Sequence, residues 1–281
     1  MESTGFLSPV SPVSPAAGYI GGKRNLAKRL TAIIDHIPHD TYAEPFVGMG
    51  GIFLRRSRRP RAEVINDISG DVVTFFRILQ EHYPYFIDML RWRLASRAEF
   101  ERLLGQDPAR LTDLQRAARF LYLQRLAFAG KVSGRSFGVD PRTSARFNVG
   151  KLEPMLADVH ERLAGVIIEH LRFDAVIARY DRPGTLFYLD PPYWGCEDDY
   201  GVDVFAPGDF AALAAQLAGI RGRFILSIND LPGVRDTFAS FRMSEVKTTY
   251  TISSALGGTR AGELIITNLP ASSLPFPAND A

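Results

Sequence analysis

The stretch that decides the fold runs TYAEPFVGMGGIF, from Thr41 to Phe53. It opens as a short apolar run, suited to a strand covered on both faces. Glycines at 48, 50 and 51 then permit a sharp turn and a close backbone approach. From Ile52 the residues are compatible with a helix. Strand, glycine turn and helix start together form the usual cradle for a nucleotide-like ligand. The spacing lacks the third glycine of the dinucleotide fingerprint, which would fall at Phe53. Taken alone, the motif also fits simple close packing of a helix on a strand.

Working outward, the next apolar run, AEVINDI (62–68), carries Asp67 just past its end, about 20 residues beyond the glycine turn, where ribose hydroxyls are usually held. Asp67 could equally cap the helix that begins SGDVV. Three more near-continuous runs follow at GVIIEHLRF (165–173), TLFYLDPPY (185–193) and RFILSIND (223–230). Such runs, separated by helix-sized intervals, predict a mostly parallel, doubly wound α/β sheet with ligands beyond the carboxyl ends of its strands. FRMSEVKTTYTIS (241–253) and GELIITNL (262–269) alternate more clearly and predict a terminal antiparallel pair.

One interval is too long for a simple crossover. Between Val72 and about Pro154 helical patterns dominate, followed by the Gly/Arg/Ser-rich stretch GKVSGRSFGVDPRTSARFN (130–148). The same region is basic: from Arg91 to Gly150 there are 12 Lys/Arg against 5 Asp/Glu, although the whole chain carries only +2. A basic helical insertion in a mildly acidic α/β body suggests a polyanionic partner. The expected layout is a lead-in over 1–17, read as disordered from its Ser-Pro-Val repeats, and a catalytic domain over 18–75 and 151–270. A recognition domain over 76–150 and a flexible tail over 271–281 complete it.

Composition narrows the class. The 281 residues are 46% hydrophobic and 23% charged, as in an ordinary globular protein. No apolar run approaches the roughly 20 residues that would cross a bilayer. The N-terminus lacks the basic start and apolar core of a signal peptide. The single cysteine, Cys196, excludes an internal disulfide framework and a cysteine-based zinc site, so a cytoplasmic protein without a metal is expected. GYIGGKR (18–24) does not make a phosphate loop, because Ala17 and Arg24 stand where Gly and Ser/Thr are needed.

The run ending LDPPY poses the chemical question. Two prolines cannot continue a central strand, so the strand stops at Asp190. Proline also fixes the backbone, leaving the Asp190 carboxylate and the Pro191 carbonyl as rigid acceptors beside an aromatic plate, Tyr193. That is a receptor for a planar ring bearing an NH2 group. An exocyclic aromatic amine is a poor nucleophile, and holding both hydrogens would aim its lone pair at an electrophile. A proline-terminated strand with an aromatic nearby explains any one of these residues; the four together favour the chemical reading.

The chain resembles the Dam-type (D12 class) DNA adenine-N6 methyltransferases. The similarity rests on GYIGGK (18–23), AEPFVGMGGIF (43–53), INDI (65–68), FLYLQRLAFAGKVSGR (120–135) and RFNVGKLEP (146–154). It continues through RFD (172–174), DPPY (190–193), LSIND (226–230) and ISSALGGTR (252–260). The resemblance implies a Rossmann-like, S-adenosyl-L-methionine-dependent methyltransferase sheet with an inserted, mainly helical target-recognition domain. It implies double-stranded DNA as partner, S-adenosyl-L-homocysteine as product, and a phage- or bacterium-type enzyme, monomeric or weakly dimeric.

By the same resemblance, Asp190, Pro191, Pro192 and Tyr193 form the target-adenine pocket. Tyr19 and Lys23 line the methionine end of the cofactor, with Phe46 and Gly48 beneath it. Asp67 holds the ribose, and Phe173 with Asp174 contacts the cofactor's adenine. Glu44, Pro45, Gly50, Ile68 and Asp190 complete the cofactor set, and Arg125, Lys131, Arg135, Arg142, Arg146 and Arg260 face DNA. Arg55, Arg56, Arg58, Arg59 and Arg61 are read as a solvated helix end. The chain departs from the pattern at Ala129, where relatives commonly carry Asn, and at Tyr19, which replaces a frequent Trp or Phe. Cytosine-C5 methylation is rejected because Cys196 follows Gly195 rather than proline. Amino-methylation of cytosine or RNA, or a silent DNA-binding module, stays open at this point. A nicotinamide dehydrogenase is disfavoured.

Overall fold

The computed structural model describes residues 7–23, 25–138, 142–201, 204–247 and 262–270. In chain order, its first elements are β1 (Ser8–Pro9), α1 (Ala27–His36), β2 (Thr41–Glu44), β3 (Arg58–Arg59) and β4 (Ala62–Asn66). Helices α2 (Gly70–Glu81), α3 (Tyr83–Leu90), α4 (Arg97–Leu104), α5 (Asp113–Leu126) and α6 (Val149–Arg162) follow. The chain then alternates through β5 (Ile167–Glu169), α7 (Phe173–Tyr180), β6 (Thr185–Leu189), α8 (Pro207–Ala218), β7 (Arg223–Asn229) and α9 (Pro232–Thr237). It ends in β8 (Arg242–Lys247) and β9 (Gly262–Thr267).

All five apolar runs are strands of one seven-stranded sheet ordered β5-β4-β2-β6-β7-β9-β8. The first five of these are mutually parallel, and β9 runs antiparallel between β7 and β8. Both faces are covered. Leu186 and Tyr188 of β6 enter one apolar core with α1, α2, α3, α5 and α6, while Phe187 and Leu189 enter the other with α7 and α8. Burial on both faces is why these runs are continuously apolar. The chain moves outward from β2 through β4 to β5 and returns to β6 on the other side. The switch point therefore lies between β2 and β6, where ligands of such sheets collect. Among the described residues no helix is long and apolar enough to cross a membrane.

Four expectations are corrected. From Leu7 onward the lead-in is ordered: β1 pairs with β3, the Val10 and Val13 amides donate to Ser57 and Leu54, and Ala16 and Ala17 are buried. Prolines at every third position remove donors but leave the Val10 and Val13 N–H groups to bond the body. The run after the glycine turn forms only a 3₁₀ turn at Phe53–Arg55. It ends because Arg56 turns inward, fully buried over the Tyr42 ring and donating to Glu63, which also pairs with Arg162. The arginine cluster is thus no solvated helix end at Arg56. Finally, the expected domain boundaries at 75/76 and 150/151 cut through α2 and α6. Phe75 packs on Phe86 and Phe120, so the helical insertion shares its core with the sheet.

Candidate active site

A cavity of about 890 Å³ opens at the carboxyl ends of β2, β4 and β6. The glycine turn forms one wall. Gly48 has φ +49°, and a Cβ there would come within 3.0 Å of the Tyr19 ring. Its amide donates to Asp67 Oδ2 at 2.9 Å, while the Ser69 amide donates to Oδ1 at 2.8 Å. Asp67 therefore ties the glycine turn to the end of β4, and the cap of α2 is Ser69, whose hydroxyl accepts from Val72. Burial pushes the Asp67 carboxyl up to about 6, against the pull of those two amides.

Beyond Asp67 the wall is aromatic. Phe46 stacks on Phe173 with ring centroids 5.7 Å apart, and both contact Phe205. Asn66 clasps the loops behind them, donating to the Pro45 and Leu171 carbonyls and accepting from the Leu171 amide. Tyr19, Glu44, Pro45 and Ile68 also line the cavity. Burial drives the Glu44 carboxyl up to about 8, and its Oε2 accepts from Tyr42 Oη at 2.7 Å. Two expected cofactor residues lie elsewhere. Gly50 backs onto Leu54 and Phe76. The Asp174 carboxylate is half exposed and pairs with Arg172, because it sits in the first turn of α7 facing outward.

At the end of β6, Asp190 and Pro192 reach the cavity, whereas Pro191 is buried beside them. Lys23 is more deeply engaged than expected. Its Nζ lies 3.0 Å from Asp190 Oδ1 and 2.5 Å from Glu263 Oε1, and it donates to Tyr193 Oη at 2.8 Å. Tyr193 Oη in turn donates to Glu263 Oε1 at 2.7 Å. Burial pushes the Asp190 carboxyl up to about 6; the Lys23 ammonium opposes that rise and the Glu263 charge adds to it. Asn229, at the end of β7, holds the turn that follows by accepting from the Trp194 amide and donating to its carbonyl. Among the described residues no His, Cys, Asp and Glu group is arranged to hold a metal ion.

Sequence reasoning missed Glu263, Phe205, Tyr200, Asn66 and Asn229. Tyr200 closes one rim by donating to the Ile20 carbonyl at 3.1 Å. Signals existed for the asparagines, since the tripeptide Ile-Asn-Asp ends both β4 and β7. Glu263 carried one too, as an acid opening an apolar strand.

The candidate DNA residues divide. Arg125 donates to the Ala16 and Arg146 carbonyls, and Arg135 donates to Gln124 and Lys131, with its guanidinium over the Phe120 ring. Both guanidiniums are half-buried and tied to neighbouring groups, Arg125 at the wall of the cavity. Lys131, Arg142 and Arg146 are exposed; Arg260, like the whole 252–260 motif, lies outside the described residues. Ala129 has φ +54°, a left-handed conformation that is uncommon for alanine and in which asparagine is several-fold enriched.

Residues 19–252 match the D12 class N6 adenine-specific DNA methyltransferase family. The chain is 23% identical over 242 residues to the Type II methyltransferase M.CviBI of Paramecium bursaria Chlorella virus NC1A, covering 85% of this chain and 91% of that protein. It is 26% identical over 272 residues to a DNA adenine methylase of Serratia marcescens, covering 88% and 95%. A Type II methyltransferase, M1.LlaDCHI, of Lactococcus lactis subsp. cremoris is 24% identical over 274 residues, covering 90% and 95%.

Proposed function

The chain belongs to the D12 class of N6 adenine-specific DNA methyltransferases, and on that premise we propose how its own residues carry the reaction. When bound, S-adenosyl-L-methionine supplies a methyl group from its sulfonium and leaves as S-adenosyl-L-homocysteine. The cavity fits that cofactor. The Phe46, Phe173 and Phe205 end offers an aromatic slot for its adenine, and Asp67 offers a fixed carboxylate to its ribose hydroxyls. Gly48 keeps the turn free of side chain where the backbone must approach.

Because an adenine N6 lies inside the duplex, the base would be flipped into the pocket at the end of β6. Asp190 and the Pro191 carbonyl would accept its two amino hydrogens while Tyr193 stacks on the ring. Both acceptors are fixed by the prolines before substrate arrives, so the lone pair is aimed without reorganisation. The amine itself is the nucleophile, and no covalent enzyme intermediate is needed. As the N–CH3 bond forms and the S–CH3 bond breaks, the methylated amine would have to lose one proton, which the ionised Asp190 carboxylate already accepting one of its hydrogens would take and pass to solvent. Exposed Lys131, Arg142 and Arg146 would contact phosphates of double-stranded DNA. The enzyme is read as cytoplasmic and as a monomer or weak dimer.

The observation that carries this reading is Asp190, mostly buried yet paired with Lys23 at 3.0 Å, at the mouth of the cavity that holds Asp67. The test is incubation with unmethylated duplex DNA and S-adenosyl-L-methionine, followed by nucleoside mass spectrometry. N6-methyladenine from the wild type, and none from Asp190→Ala with DNA binding retained, is expected. N4-methylcytosine, or normal turnover by Asp190→Ala, would overturn it.

A further inference from the structure

We propose that Glu263 is a positioning residue for methyl transfer, locking Lys23 and the Tyr193 hydroxyl in one buried network and thereby setting how Asp190 and Tyr193 meet the base. The inference rests on reading Asp190 to Tyr193 as the base pocket.

The topology places Glu263 there. β9 runs antiparallel in an otherwise parallel neighbourhood, so it begins where its neighbours end. Glu263 accordingly lies in register with Asn229, at the last residue of β7. Its side chain and that of Lys23 are both fully buried. A buried carboxylate is costly unless paired and hydrogen-bonded. The Lys23 ammonium and the Tyr193 hydroxyl both hold this one.

The hydrogen-bond directions do the positioning. Lys23 has only donors, so the Tyr193 oxygen must accept from it and spend its own hydrogen on Glu263. Lys23 Nζ also lies over the Tyr193 ring, 4.1 Å from its centroid, so the ammonium holds one face of the ring and leaves the other as the platform for a base. Lys23 is likewise held by the Glu263 carboxylate and the Tyr193 hydroxyl, which sets where it meets Asp190 Oδ1. Two segments distant from Lys23 in sequence, 190–193 and the start of β9, thus converge on one ammonium. For stability alone an apolar residue would serve as well, since buried ion pairs rarely outperform good apolar packing. A buried ion pair one contact from both reacting-pocket residues is better explained by orientation.

Neutralising Glu263 has a readable consequence. Among the described residues, Asp190 faces Lys23, Glu263, Glu44 of β2, Tyr188 of β6, Ser227 of β7, Tyr193 and Tyr200. Removing the Glu263 charge leaves Lys23 to act on Asp190 alone, which favours the ionised carboxylate. The acid limb of the rate profile must then move to lower pH, although the rate itself falls through lost alignment.

The experiment compares Glu263→Gln, Glu263→Asp, Tyr193→Phe and the Tyr193→Phe/Glu263→Gln double variant with wild type, in single-turnover methylation of a duplex across pH 5 to 9. Glu263→Gln should lower the rate at least about 10-fold, leave cofactor affinity within about 2-fold, and shift the acid limb down. Adding it to Tyr193→Phe should cost less than it does in the wild type, because the shared contact is already gone. Glu263→Asp keeps the charge, so it should lose rate while its acid limb stays in place; this variant decides the matter if Glu263→Gln does not fold. Wild-type rate and wild-type acid limb in a folded Glu263 variant, with only its melting temperature reduced, would overturn the inference. An active Asp190→Ala would instead overturn the base-pocket reading itself.

Discussion

Replacing Lys23 with Met removes the ammonium between two buried carboxylates while keeping most of its volume. The ammonium lies 3.0 Å from Asp190. At an effective dielectric of about 20, losing that attraction is worth about 5 kcal/mol, or roughly 4 pKa units of upward pressure on Asp190. Glu263 limits the rise. The two carboxylates touch the same nitrogen, at 3.0 and 2.5 Å, so they lie within about 5.5 Å of each other. With Lys23 gone the two carboxylates face each other as a pair, and one proton shared between them relieves a repulsion of about 3 kcal/mol, roughly 2 units. The net expectation is an acid limb moved up by about two pH units from the value near 6 that burial and Lys23 together set for Asp190. Since Asp190 must be ionised to accept the amine hydrogens, Lys23→Met should be nearly inactive at pH 7 and regain rate towards pH 9. Single-turnover methylation of a duplex against pH measures this directly. An acid limb still near pH 6, or a rate equally low at every pH, would refute the electrostatic role.

Three further outcomes follow from particular residues. Burial raises the Glu44 carboxyl to about 8, so its protonated form stabilises the fold; that contribution is full below the ordinary carboxylate range and is lost as pH rises through 8. Glu44→Gln, which mimics the protonated form, should match wild type in melting temperature near pH 4 and exceed it by a growing margin as pH rises to 8; parallel melting curves across that range would contradict the assignment. Ala129→Gly removes the left-handed strain at φ +54° and should stabilise by about 1 kcal/mol, seen as a rise of a few degrees on thermal melting. Lys131→Ala should lower the slope of log affinity for DNA against log salt by about 1, whereas Arg135→Ala, whose guanidinium lies on Gln124 and Phe120, should lower the melting temperature more than the slope. Equal salt slopes for wild type and Lys131→Ala would remove Lys131 from the interface.

The sheet was legible because burial on both faces leaves a plain mark. Runs such as TLFYL and RFILSIN have no polar face to interrupt them, and each became a strand of the parallel core. Where local pattern and tertiary contact compete, the sequence was less transparent. Ile52 to Leu54 look like a helix start, yet the buried pairing of Arg56 with Glu63 stops the turn after three residues. Ser-Pro-Val repeats look disordered, yet their spacing leaves free exactly the amides that bond the body at Ser57 and Leu54. An arginine count cannot separate Arg135, spent on Gln124, from exposed Lys131, because direction is decided by packing.

The same distinction divides the site. Residues bound to their motif by local geometry could be read from the chain: Asp67 follows a strand end, Gly48 occupies a positive-φ turn, and Asp190 is fixed by the prolines after it. Asp174 is placed by the same kind of local geometry: in the first turn of α7 its carboxylate pairs with Arg172, apart from the residues that line the cavity. Residues that act across the fold were not readable. Glu263 lies 73 positions beyond Asp190 and 240 beyond Lys23 in number, and nothing in GELIIT says that its strand will insert beside β7. Had β9 paired at the sheet edge, with β8 inside, Glu263 would not stand opposite Asn229, and Lys23 would have lost its second carboxylate. The inversion of those last two strands is therefore what completes the charge network at the mouth of the cavity. A reading confined to motifs finds the pocket proposed for the base; the strand order supplies the charged groups packed behind it.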